Sequence, residues 1–214
     1  MTPTARDENP TPAMDAEPMA VAELHHLLRS PARAVDFVLA DHGRLAASIA
    51  RGQAPLLLSG LLLACSLVAS LPYALANGWT VPWRIGALYS GSVLVCWPSL
   101  QVFGSFLGIR LHPTQSLQLS LLIAAAASIF TLGFAPIVWF LRATMRSGDW
   151  VDVDSMYRVL LVLALLGGIG QLGRCIGTNP ALRGLRAAWP LLVAWQGLVL
   201  FITWRMARTL GLVA

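Results

Sequence analysis

The sequence contains no lysine, and between Asp41 and Asp149 it contains no acidic residue. The second absence excludes more. A carboxylate inside an apolar helix is costly in lipid and usually marks a proton relay or cation site. Every long apolar segment here lacks one, which argues against a simple proton- or sodium-coupled pump. The three cysteines, Cys65, Cys96 and Cys175, lie in or beside apolar runs without paired or metal-ligand spacing, so they read as small packing residues. No Gly-rich phosphate loop follows a strand pattern, no nucleophile and base are convincingly spaced, and no zinc-protease helix is present. The chain is therefore expected to be non-enzymatic, with no cofactor and no metal.

Charge is scarce as well: 12% of residues are charged and 57% hydrophobic, far from the balance of a soluble globule. The net charge of +5 comes from arginines scattered at the ends of apolar segments. There they orient helices and snorkel to headgroups, and they predict no nucleic-acid partner.

What is present predicts an all-α polytopic membrane bundle. Five apolar segments, at about 54–75, 85–108, 116–141, 156–174 and 187–207, each approach or exceed the roughly 20 residues that cross a bilayer. Trp79, Trp83, Trp139, Trp150, Trp189 and Trp204 fall near their ends, as interfacial aromatics do. The fourth segment reads as either a short span or a re-entrant element, because Gly167, Gly168, Gly170 and Gly173 crowd its second half. Pro136 predicts a kink in the third segment and Pro98 a kink in the second.

Ahead of the bundle the chain divides in two. Residues 1–18 are Pro-rich, polar and acidic, which predicts disorder, and they lack the pattern of a signal peptide. The N-terminus is therefore expected in the cytoplasm, and the bundle in the inner membrane. Residues 19–52 carry amphipathic helices: a short one over 19–29, then a second with Ser30 as N-cap and Pro31 at its first position. Val35, Val38, Leu39, His42, Leu45, Ala46 and Ile49 form the apolar stripe of the second, with a bend expected at Gly43. This stripe is expected to lie on the membrane surface or on a partner.

The segment C-W-P-S-L-Q-V-F-G-S-F-L-G-I-R-L-H-P, residues 96–113, concentrates the polar features of the spans. Gly104 and Gly108 form a GxxxG pair with Gln101 one turn away, and Gly173 with Gly177 forms a second pair. Small residues at this spacing let helix backbones approach, and amides in lipid seek partners across helices. Gly104, Gly108, Gln101, Gly173 and Gly177 are thus the expected helix-packing residues. Ser99, Gln171 and Gln196, with Gln101, would instead line a polar site at kinked helices if the chain were a transporter or channel component. The turn R-L-H-P-T-Q-S places Thr114 as N-cap of the third span, where Arg110 could assist an anion. Asp149, Asp152 and Asp154 do not follow the calcium-loop order and read as a solvated loop.

Five spans after an N-terminal cytoplasmic segment, with Gly133-Phe134-Ala135-Pro136 in the third, resemble the Yip (Ypt-interacting-protein) domain family. That resemblance implies a small membrane scaffold that engages trafficking GTPases in eukaryotes. The run Pro98, Ser99, Leu100, Val102, Phe103, Leu107, Gly108, Arg110 and Leu111 is also similar to uncharacterised bacterial multi-span proteins. Taken together, these features predict a scaffold or accessory subunit in contact with the lipid bilayer and with other membrane subunits or further copies of itself.

Overall fold

A computed structural model describes residues 21–52, 54–76, 83–106, 108, 111–145, 153–178, 182 and 187–212. Among them the chain is helical, with no strand. Three short helices, α1 (Val21–Arg29), α2 (Pro31–Leu39) and α3 (His42–Ala50), precede five long ones: α4 (Pro55–Ala76), α5 (Arg84–Phe106), α6 (Pro113–Thr144), α7 (Val153–Thr178) and α8 (Trp189–Thr209). The five are each long and apolar enough to cross a membrane. The predicted acidic tail and the loop carrying Asp149 and Asp152 lie outside the described residues, while Asp154, expected in that loop, falls in the first turn of α7.

The fourth segment is neither short nor re-entrant. α7 has 26 residues, of which Ser155–Gly177 form a span-length apolar stretch. Its glycines do not interrupt it, because a neighbouring helix packs where the side chains of Gly167 and Gly168 are missing.

α6 is the axis of the bundle, packed by α4, α5 and α7 as well as by α2 and α3. Its middle explains this: Ser120, Ala124, Ala125, Ala126, Ala127 and Ser128 are all buried, and small side chains let helices close in on every side. Outward-facing positions are instead large and apolar, as at Leu56, Val95, Phe103, Phe106, Trp139, Phe140 and Phe201. So much exposed apolar surface is incompatible with water and suits a bilayer.

The amphipathic region departs from expectation twice. The second helix breaks at Ala40–Asp41, not at Gly43: α2 ends at Leu39 and α3 begins at His42. In addition, the apolar stripe is consumed by the chain's own bundle. Leu24, Leu27, Phe37, Val38, Leu45 and Ile49 are buried in the same cluster as Leu58, Leu122 and Leu172. Burying such side chains contributes roughly 1.5–3 kcal/mol each, enough to hold three short helices that would not be stable alone. α1–α3 cover the flank of α6 between α4 and α7.

Candidate functional site

The intramembrane polar residues form three structural networks. The first is a central contact of hydroxyls. Ser66 of α4 lies 2.9 Å from Ser90 of α5 and 3.2 Å from Ser128 of α6, all buried. Beside it, Tyr73 and Tyr89 donate to the carbonyls of Tyr157 and Leu161 on α7, each at 3.0 Å. Tyr73 also stacks on Tyr157 at 4.8 Å between ring centroids. Because lipid offers no competing water, these bonds fix the rotation of α4 and α5 against their neighbours.

The second network closes the α5–α6 turn. Gln101 Nε2 donates to the Leu111 carbonyl at 3.2 Å, while its Oε1 accepts from Ser116 at 2.7 Å. Ser116 Oγ in turn accepts from Trp97 Nε1 at 3.0 Å. α6 starts earlier than expected: His112, not Thr114, is the N-cap, with Pro113 at the first helical position. Gln115 accepts from the His112 N–H at 3.0 Å, which occupies a donor that an anion at this N-terminus would use. Arg110 lies outside the described residues.

The third network anchors α2 and α3. The last carbonyls of a helix lack intrahelical donors and need them from elsewhere. Gln171 supplies them for α2, its Nε2 lying 2.9 and 3.0 Å from the Val38 and Leu39 carbonyls and 3.1 Å from His42 Nδ1. Gln115 donates to the Ala50 carbonyl that ends α3, at 2.9 Å. Gln118 donates to the Pro55 carbonyl at 3.2 Å, leaving its buried Oε1 without a partner.

The candidate transport residues therefore do not converge. Ser99 Oγ turns back to the Cys96 carbonyl at 2.6 Å, which also accepts from Trp195 Nε1 at 3.0 Å. Gln171 is committed to α2, and Gln196 is half-buried on α8 with no hydrogen bond among the described residues. Both expected proline positions lie inside continuous helices, Pro98 in α5 and Pro136 in α6, and Pro72 in α4 is a third.

The packing glycines are distributed differently from the GxxxG reading. A Cβ on Gly104, Gly173 or Gly177 would meet nothing within 4 Å, so among the described residues no other helix makes a close approach there. Gly108 follows the end of α5 with φ +74°, where it terminates the helix rather than pairing with Gly104 along it. The close approaches are elsewhere. A Cβ on Gly168 would lie 2.5 Å from the Ile123 carbonyl and 3.1 Å from the Ala127 nitrogen, and one on Gly167 would lie 2.7 Å from the Phe130 ring. Gly86 similarly faces Ser70 at 2.9 Å, and Gly91 faces Met206 at 2.8 Å. The sequence shows the cluster of glycines in α7 but not which of them face a neighbouring helix.

No protein-family model, no curated protein and no solved structure matches this chain. Five span-length apolar helices suggest a membrane protein in a lipid bilayer.

Proposed function

We propose that the chain is a non-enzymatic integral membrane scaffold or accessory subunit of a larger inner-membrane assembly, with α1–α3 packed against the bundle from its cytoplasmic side, in the manner the Yip-type resemblance implies. One observation carries this reading: span glycines that, among the described residues, no other helix approaches. Gly170, Gly173 and Gly177 are exposed along α7, and Gly104 on α5, though itself buried, has the same open space before its missing Cβ. Against lipid a glycine adds flexibility and no packing. Against another helix it permits close contact.

The use of Gln101, Gln115 and Gln171 as ties between helices supports the same reading over a transporter or channel. Amides already bonded to backbone carbonyls are poor substrate ligands. Native mass measurement and identification of co-purifying proteins in mild detergent test the proposal. The expected result is an oligomer or a stoichiometric partner, of lower mass in Gly104→Leu and Gly173→Leu but unchanged in Ser99→Ala. A monomer without partners would overturn it.

A further inference from the structure

α1 and α2 sit deeper than a surface helix would. A groove of about 340 Å³ opens between them and the bundle beside this packed contact, lined by Leu27, Pro31 and Val35 on one side and on the other by α4 from Leu61 to Pro72, with Leu132. Leu61 and Pro72 lie about 9 and about 26 Å along α4 from Pro55, at about 1.5 Å per residue. α2 therefore has Pro31, at its N-terminal end, facing the stretch of α4 that contains Ser66. Its C-terminal end is held by Gln171, about 9 Å inside the Gly177 end of its span.

Throughout this depth the inner side of α2 is apolar and buried, at Ala34, Phe37 and Val38, whereas Arg33 and Asp36 are exposed on the outer side. Arg29, just before the α1–α2 turn, is exposed too. Charged groups facing acyl chains are strongly unfavourable and call for polar partners. Three residues apart, Arg33 and Asp36 are neighbours on the helix surface, yet they do not pair with each other. The ion pair among the described residues is Glu23–Arg44, and Arg33 reaches His26 Nδ1 at 3.4 Å.

We propose that the outer face of α1–α2 pairs with the same face of a second copy of this chain, Arg33 of one protomer meeting Asp36 of the other. A patch carrying both signs is self-complementary, as a two-fold contact requires. The five spans hold no carboxylate, whereas α2 carries Asp36 beside Arg33 on the same exposed side, so a second copy can bring an acid to Arg33 on its own α2. This inference deepens the subunit reading above and rests on it.

The test uses the full chain in lipid nanodiscs and in mild detergent, reading native mass and dissociation on dilution. Arg33→Asp and Asp36→Arg should each weaken the dimer about tenfold or more, and the double exchange Arg33→Asp/Asp36→Arg should recover it. Ala32→Cys in an otherwise unaltered chain should form an intermolecular disulfide in oxidised native membranes, which keeps the proposal testable if a charge variant does not fold. Failure of the double exchange to recover the dimer overturns self-pairing. An oligomer indifferent to both single exchanges, with no disulfide formed by the Ala32→Cys chain, overturns this interface while the subunit reading stands. A chain that is monomeric and partnerless in both media overturns both.

Discussion

Gly168 and Gly173 lie five residues apart on one helix and face opposite requirements. Five residues place them about 140° apart round α7. Gly168 presses against the backbone of α6, where a Cβ would come within 2.5 Å of the Ile123 carbonyl. Gly173 is exposed and meets nothing within 4 Å. The first glycine is explained by the fold of a single chain. The second is not, and that difference separates residues that build the bundle from residues that present it to something else.

Gly168→Val tests the inner side and should have the largest effect. A backbone oxygen cannot move aside as a flexible side chain can, so overpacking should destabilise by about 3 kcal/mol or more. Thermal unfolding in detergent, followed by circular dichroism, reads it as a marked fall in midpoint. Gly173→Leu sharpens the contrast: the midpoint should change little while the native mass falls, as whatever is held on this face of α7 is released. If both variants lowered stability equally, the distinction between inner and outer glycines would fail.

An intermediate effect is expected at Gln171→Leu. Removing the amide leaves the Val38 and Leu39 carbonyls without their donor, at a cost of about 1–2 kcal/mol. The loss should be local, visible as faster hydrogen exchange in α2 and α3 with α4–α8 unchanged. Gln101→Leu should cost about 1 kcal/mol, because the Leu111 carbonyl and Ser116 lose a partner at the turn. Any solute flux in reconstituted vesicles should be the same as for the unaltered chain. The smallest change is expected at Gln196→Leu, within about 0.5 kcal/mol, since Gln196 makes no hydrogen bond among the described residues. A selective loss of flux there would favour the transporter reading instead.

The sequence made the spans legible because hydrocarbon demands length and apolarity, and residues 54–75 and 187–207 map closely onto α4 and α8. Rotation was less legible. α7 is apolar on all sides, so hydropathy carries no information on which of its glycines face inward. The destinations of the glutamines were hidden for a related reason: an amide in lipid must find a partner, but the Val38 carbonyl is 133 residues from Gln171 and meets it only through tertiary packing. The amphipathic stripe of residues 35–49 was correct in its period, with buried Val38, Leu45, Ala46 and Ile49. Its partner was misplaced, because amphipathicity states that a face must be covered without stating by what. The GxxxG at Gly104 and Gly108 shows the limit of spacing alone: Gly108 has left the helix before the motif is complete.

The most direct test of the subunit account is the native mass of the full chain released from lipid nanodiscs, unaltered and as Gly173→Leu, with unfolding midpoints measured in parallel. The account predicts a complex well above the 23.0 kDa of one chain, losing mass in the variant with no matching loss of stability. A 23.0 kDa monomer in both samples, or a complex untouched by the substitution, would contradict it.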